Sequence, residues 1–348
     1  MTFEDVLEFA SHPFTLFFDT AERLSIPYML TALMVAIFVY ARANRGRPDG
    51  GLKGLLPWLF PKDVITHPSA KADYWMFFIN KSLIVAIYAS IPGQALLWMA
   101  LVDWVLGPVP QAETAPSLWI SLLYTVILAV VVDGVLWFAH YIFHKVPFLW
   151  EFHKTHHSAE VMTPLTATRM HPLEELFSSS LSGAAVGITY QLLNHAFGAE
   201  HGFIQFLGVN LVLGLFFLAA FNLRHSHVWF QYPYWLQHIF VSPAQHQIHH
   251  SRAMKHWDKN MGFIFAFWDW GAGTLYAPKG KEEIRFGLGN GEDGTWNSAK
   301  TLYFQPFVNT YALLKSGVRN AFVFPPKKDR PRAKPKAAPP ADTDLAQK

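Results

Sequence analysis

Long apolar runs separated by polar loops dominate the first two-thirds of this chain. The runs cover approximately residues 26–41, 77–106, 117–144, 176–196 and 203–221. A bilayer core of about 30 Å takes roughly 20 helical residues to cross. The pattern therefore predicts four or five membrane segments, with the last two either crossing separately or forming a hairpin that only dips into the membrane. Pro92 should kink the second segment or divide it into a re-entrant pair.

Loop charges predict how these segments are oriented. The loop after the first run is rich in Lys and Arg, whereas the loops at 107–116 and 194–202 have neither, and the chain begins with acidic residues. The positive-inside rule places the basic loop in the cytoplasm. With five crossings the N-terminus would lie outside, and the C-terminus would lie in the cytoplasm.

Composition narrows the class of protein and the kinds of metal site. Hydrophobic residues make up 51% of the chain and charged residues only 15%, against about 25% charged in a typical soluble domain. The net charge of +3 does not suggest nucleic-acid binding. Because the chain has no cysteine, disulfides, thiolate zinc sites and iron–sulfur clusters are excluded. Any metal must be bound by nitrogen or oxygen.

Three histidine clusters stand out, "HYIFH" at 140–144, "HKTHH" at 153–157 and "HQIHH" at 246–250. Residues four apart share a helix face, and a metal takes imidazoles in their neutral form. With His225, the clusters offer too many ligands for one ion and about enough for two. So much nitrogen favours two iron ions with positions left for O2. A non-catalytic metal transporter or sensor and a structural zinc protein are the alternatives. Transporters usually place their ligands at mid-membrane, whereas these clusters are predicted at the cytoplasmic edge. A structural zinc needs only four ligands.

Motifs around the clusters resemble the fatty acid hydroxylase / sterol desaturase superfamily of membrane di-iron oxygenases. The resemblance rests on "LWEFHKTHHSAE" at 149–160, "TRMHPLEE" at 168–175, "VSPAQHQIHHS" at 241–251 and "DKNMGFIFAFWDWGAGTLY" at 258–276. It covers residues 120–280. Met261 stands where the family usually has Tyr, and "WDWGAGT" lacks bulky residues before Gly-Thr. These departures concern the shape of the substrate site more than metal binding.

The resemblance implies a set of iron ligands. They are His140, His144, His153, His156, His157, His225, His246, His249 and His250. Second-tier residues are His227, as a ligand or a support, and His171, as a support. Asp133, an acid within an apolar segment, is predicted to accept a hydrogen bond from a ligating ring rather than from another polar neighbour. Glu174, Asp258 and Asp269 are further carboxylates of this kind.

The resemblance also implies a function. It indicates a membrane-bound oxidoreductase that uses O2 and two electrons to hydroxylate or desaturate an unactivated C–H position of a sterol or fatty-acyl lipid. A carotenoid or ether-lipid oxygenase is the alternative within the superfamily. Because the chain has no cysteine and no Gly-rich dinucleotide motif, an external reductase or electron carrier is predicted as a partner.

The predicted fold is an all-α integral membrane bundle whose cytoplasmic helical cap holds a di-metal site. Residues 1–116 would form N-terminal membrane helices with the basic loop. Residues 117–280 would form the catalytic domain, and 281–324 a cytoplasmic extension. The Pro-, Ala- and Lys-rich residues 325–348 are predicted to be a disordered cytoplasmic tail.

Overall fold

The structure, a computed structural model, describes residues 11–45, 51–109 and 117–322, without the side chains of 83–92, 320 and 321. The acidic start, most of the 107–116 loop and the predicted disordered tail lie outside the described residues. The described chain is mostly helical, as predicted, and its one sheet is a small antiparallel hairpin of β1 (Gln205–Phe206) and β2 (Val209–Asn210).

The helices follow one another through the chain with short connections. They are α1 (Ile26–Ala43), α2 (Leu52–Leu59), α3 (Lys62–Ile65), α4 (Pro68–Leu106), α5 (Leu118–Lys145), α6 (Pro147–His157), α7 (Pro172–Phe197), α8 (Leu211–Leu218), α9 (Pro243–His249), α10 (Phe267–Gly271), α11 (Ala299–Ser316) and α12 (Val318–Phe322).

Proline marks the start of the helices that surround the histidines. Pro147, Pro172 and Pro243 occupy the first helical turn of α6, α7 and α9, where the missing N–H costs no hydrogen bond. Ser242 and Gln245 also form a reciprocal capping box at the start of α9, satisfying two backbone donors. Proline thus marks the start of α6 and α9, the two short helices that carry the second and third histidine clusters.

The long helix α7 packs against both α4 and α5. Gly187 of α7 allows the close approach to α4, because a Cβ there would collide with the carbonyl oxygen of Ala95. A separate aromatic core joins α1 to α8 and the loop after α9, with Tyr28, Phe217 and Phe221 among its buried members. These contacts hold the histidine-bearing segments in one body.

Two helices in the described part of the chain are long and apolar enough to cross a bilayer, Ile26–Ala43 and Leu118–Lys145. The second predicted segment lies in α4, one helix rather than a re-entrant pair, of which Gly93–Leu106 is a shorter apolar stretch. The fourth lies in α7, which does not meet the same test. The count of four to five crossings and the cytoplasmic cap remain predictions.

The predicted fifth crossing over 203–221 is wrong as a single helix. That stretch contains the β1–β2 hairpin and the 8-residue helix α8, and 8 residues span only about 12 Å. The hairpin turns at Leu207 and Gly208, whose φ angles of 52° and 80° lie in the left-handed region. A helix cannot run through that conformation.

Candidate metal centre

Three helix ends bring the histidines together. His140 and His144 lie in the last two turns of α5, the second cluster ends α6, and the third forms the end of α9. Helix C-termini carry partial negative charge, which favours a bound cation. The backbone at these helix ends and the histidine side chains therefore both favour a bound cation.

All nine predicted ligand histidines lie in two adjacent groups. The five-histidine group is His140, His144, His153, His157 and His249, and the four-histidine group is His156, His225, His246 and His250. Within each group the nearest ring nitrogens all lie within 4.8 Å of one another. The rings of His157 and His250 stack across the boundary, with centroids 4.7 Å apart. The structure gathers these residues as a metal centre would require, and their role as ligands remains a prediction.

In the five-histidine group, three rings have an oxygen partner at Nδ1. The Nδ1 atoms of His140 and His249 each lie 2.8 Å from a backbone carbonyl oxygen, of Met261 and Lys259. His153 Nδ1 lies 2.6 Å from Glu174 Oε1. Because a carbonyl oxygen only accepts, His140 and His249 carry their proton on Nδ1 and present an unprotonated Nε2 to the group.

In the four-histidine group, one ring has such an outer partner among the described residues. His156 Nδ1 donates to the carbonyl oxygen of Arg169 at 3.3 Å. The Nδ1 atoms of His246 and His250 are buried without a hydrogen-bond partner among the described residues. The Nε2 atoms converge, with His225 Nε2 lying 3.0 Å from that of His246 and 3.2 Å from that of His250.

Burial keeps these rings neutral. It lowers the pKa of His153 to about 3 and is the first cause of the lowered pKa of the other six histidines outside α5. Neighbouring histidines lower the pKa of most of these further, because two cationic rings in contact would repel. Neutral imidazole is the form that binds a metal.

The spacing of the nitrogens fits shared ions. Two nitrogens bound to one ion at about 2.1 Å and at a right angle lie about 3.0 Å apart. His153 Nε2 lies 3.0 Å from His140 Nε2 and 3.1 Å from His157 Nε2. Unprotonated nitrogens at this distance cannot hydrogen-bond to each other, whereas a cation between them would satisfy each one. His144 Nε2 and His249 Nε2, buried without a hydrogen-bond partner, fit the same interpretation.

Glu174 orients His153 from outside the five-histidine group. The carboxyl is 3% exposed, and its burial raises its pKa to about 8. A cation held by the neighbouring rings would favour the carboxylate form, by offsetting the cost of burying its charge. Carboxylate–histidine–metal chains of this kind fix the tautomer and direction of the ring.

The segment 258–262 supplies the two carbonyls that hold His140 and His249. Its central residue, Asn260, has a left-handed φ of 55° and bonds the backbone of Gln245 and Tyr276. Asp269 accepts the backbone N–H groups of residues 261 and 262, at 3.0 and 2.7 Å. Asp269 therefore acts on the histidines indirectly, through this segment.

The prediction for Asp133 was wrong. Its carboxylate accepts the backbone N–H groups of Ile264 and Phe265 and the indole N–H of Trp268, at 2.6–3.0 Å, and among the described contacts it bonds no histidine ring. Asp258 pairs with Lys145 at 2.9 Å and lies 3.8 Å from His144 Nδ1. Glu174, one of the further carboxylates named from the sequence, is the one that contacts a ring of the five-histidine group, at 2.6 Å.

The other second-tier histidines lie outside both groups. His171 caps the start of α7 by accepting the N–H of Leu173 at Nδ1, and its Nε2 lies 3.1 Å from the carbonyl oxygen of Tyr303. His227 is exposed, with its ring edge-on to Trp58 at 5.3 Å. The structure thus gives His171 a supporting role and does not bring His227 to the metal centre.

Sequence reasoning missed the parts of the site that are backbone or distant in sequence. The carbonyl oxygens of Arg169, Lys259 and Met261 hold three rings, and a carbonyl leaves no mark in a sequence. The buried Arg169 side chain pairs with Asp73, 96 residues earlier in the chain. An acid near the start of a long helix was the only hint of this pair.

Comparison with known proteins agrees with the geometry. Residues 125–274 match the model of the family described as fatty acid hydroxylase. A curated relative, "Ornithine lipid hydroxylase OlsE" of Rhizobium tropici, is 25% identical over 174 residues, which cover 50% of this chain and 48% of the relative. The match thus spans about half the length of that protein. No solved structure matches this chain.

The matched range begins in α5, ends just after α10, and includes all nine histidines of the two groups. The motifs and the comparisons agree on the same part of the chain. The family resemblance seen in the sequence is therefore confirmed over residues 125–274, which match the fatty acid hydroxylase family model and contain the two histidine groups.

Proposed function

We propose that this protein is a membrane-bound di-iron oxygenase that hydroxylates an unactivated C–H position of a lipid. The observation that carries the proposal is the pair of adjacent histidine groups, five and four rings, inside a fatty acid hydroxylase domain. A single structural zinc needs four ligands, and nine converging imidazoles exceed that need. The metal transporter or sensor and the structural zinc protein are therefore the weaker readings.

The five-histidine and four-histidine groups would each hold one iron. Imidazole suits iron, and nine nitrogen ligands across two ions leave coordination positions for O2. Bound ferrous iron would supply the activation of O2 and the removal of hydrogen from the lipid. The reaction balances as lipid C–H, O2, two electrons and two protons giving lipid C–OH and water.

The chain's own contribution is to position ligands and exclude water. Buried neutral rings present their Nε2 atoms inward, and Glu174 and the carbonyls of 258–262 fix the direction of three of them. His140 is the one member of the five-histidine group that is not fully buried. It lies near the end of the apolar helix α5, so an acyl chain in the membrane would approach from this side.

The substrate class follows from the relative and remains part of the proposal. The relative's name describes a lipid hydroxylase, which favours hydroxylation over desaturation and makes amino-acid-containing lipids the first substrates to test. Carotenoids and ether lipids are the alternative substrates. We also propose a multi-pass membrane location with the histidines and C-terminus on the cytoplasmic side, where an external reductase or electron carrier would deliver the two electrons.

The test combines metal analysis with lipid analysis. Protein purified in detergent from cells grown on ⁵⁷Fe should contain two irons per chain by elemental analysis and Mössbauer spectroscopy. Membranes from an expressing strain should contain lipids that have gained one oxygen atom, and a His249→Ala strain should lack them. One zinc per chain, or two irons with an unchanged lipid profile, would contradict the proposed function.

A further inference from the structure

A buried ion pair links the four-histidine group to helix α4, outside the matched domain. Arg169 and Asp73 are both 0% exposed, and Arg169 Nη1 lies 2.8 Å from Asp73 Oδ1. Asp73 lies near the start of α4, and the matched domain begins only at residue 125. Burying a charged pair is costly unless further hydrogen bonds satisfy both partners. The further hydrogen bonds of Arg169 and Asp73 show which parts of the metal centre the ion pair positions.

The guanidinium of Arg169 binds helix α6 on both sides of its histidines. Nε donates to the carbonyl oxygen of Thr155 at 3.0 Å, and Nη2 donates to Ser158 Oγ at 2.8 Å. These two residues flank His156 and His157 in the sequence. The carbonyl oxygen of Arg169 itself accepts from His156 Nδ1. One residue therefore fixes the end of the helix and the ring that it carries.

Asp73 fixes Arg169 in turn. Its Oδ2 accepts from Thr166 Oγ1 at 2.6 Å, in the turn Pro164–Thr168 that leads into Arg169. Arg169 also donates to the backbone of Ser69 and Trp296, so all five guanidinium N–H groups have acceptors. Lysine has a single nitrogen with three donors and cannot reproduce this planar set of five donors.

We propose that Asp73 and Arg169 are positioning residues that set the metal affinity of the four-histidine group by fixing His156. The inference rests on the proposed function, because it assumes that both groups bind iron. Partners of this kind outside the ligands change metal affinity by about 10- to 100-fold when removed. The five-histidine group shares the end of α6 through His157, but His140, His153 and His249 have outer partners of their own, so its metal affinity should fall less.

The experiment titrates Fe²⁺ anaerobically into metal-free full-length protein in competition with a chelator, and records Mössbauer spectra of the ⁵⁷Fe-loaded samples. In Asp73→Asn and in Arg169→Lys, one of the two irons should bind about 10- to 100-fold more weakly, with loss of one spectral component. Ser158→Ala removes a single bond to Arg169 and should weaken the same site less. It decides the question if the other two variants fail to fold.

Glu22→Gln is the matched control. Glu22 pairs at 2.8 Å with Lys81, which lies on α4 as Asp73 does. The substitution therefore also removes a charge partner of an α4 residue, but among the described residues Glu22 contacts no histidine of either group. It should leave both irons at wild-type affinity. Wild-type affinity at both sites in Asp73→Asn and Ser158→Ala, or equal weakening of both sites, would overturn this inference alone. A wild-type protein that binds fewer than two irons would overturn the proposed function instead.

Discussion

The five-histidine and four-histidine groups have similar inner faces and different outer support. In both groups, Nε2 atoms approach one another to about 3 Å. On the outside, three rings of the first group have an oxygen partner at Nδ1. In the second group one ring has such a partner, and the Nδ1 atoms of two others are buried with none among the described residues. Because outer partners fix the direction and basicity of a ligand ring, we expect the five-histidine group to bind its iron more tightly.

Chelation should give the largest effect. With increasing chelator the iron of the four-histidine group should leave first. Lipid hydroxylation should fall to background with that first iron, because the proposed di-iron reaction needs both. Bound iron and oxidised lipid are measured on the same samples, and Fe²⁺ is added back to show reversibility. Simultaneous loss of both irons at one chelator concentration would show that the two groups bind iron with equal affinity, which contradicts the expected difference.

Glu174→Gln should reverse the order of release. It weakens the hydrogen bond to His153, and the iron of the five-histidine group should then bind about 10- to 100-fold more weakly. Chelator competition and Mössbauer spectra identify which iron has changed. Glu175→Gln, one residue along α7, is the matched control and should behave like the wild type. An unchanged order of release would show that Glu174 does not support the metal.

Asn260→Ala should destabilise the protein and weaken the iron affinity of the five-histidine group by a few-fold. It removes hydrogen bonds to the backbone of Gln245 and Tyr276 and leaves buried groups unpaired, at about 1–3 kcal/mol each. Asn260→Gly should recover about 1 kcal/mol of this loss, since glycine adopts the left-handed φ freely. Thermal unfolding measures the stability, and chelator competition the iron. Equal weakening at the four-histidine group would contradict a specific role for 258–262.

Asp133→Asn should have the smallest effect on metal binding. Its carboxylate bonds only backbone and indole N–H groups in the described contacts, so the loss should appear as about 1–3 kcal/mol of stability. Both irons should keep wild-type affinity. A weakened iron site here would restore Asp133 as an orienting residue, as the sequence first suggested.

The sequence predicted which histidines come together, because helical spacing places the members of each cluster on one face. All nine histidines that it selected lie in the two groups. The outer part depends on the carbonyls of Arg169, Lys259 and Met261, which any residue type could supply. It also depends on Asp73, whose partner lies 96 residues away. Spacing along a chain does not report either kind of contact.

The helices were also predicted more reliably than their relation to a membrane. The first and third apolar runs correspond to α1 and α5, because a long apolar stretch without turn residues has few alternatives to a helix. The run at 203–221 has the same apolar composition but contains the left-handed residues Leu207 and Gly208. With Ala220, which is also left-handed, these residues lie where a hairpin and a short helix stand in place of one continuous helix.

The short break between α5 and α6 has a consequence for the order in which the site assembles. Val146 and Pro147 turn the chain so that four of the five histidines in the first group come from residues 140–157, whereas the four-histidine group needs residues from 156 to 250. Closing a short loop costs less chain entropy and is faster than closing a long one. During synthesis, four of the five histidines of the five-histidine group can therefore come together before α9 emerges. The four-histidine group must wait for the histidines of α9.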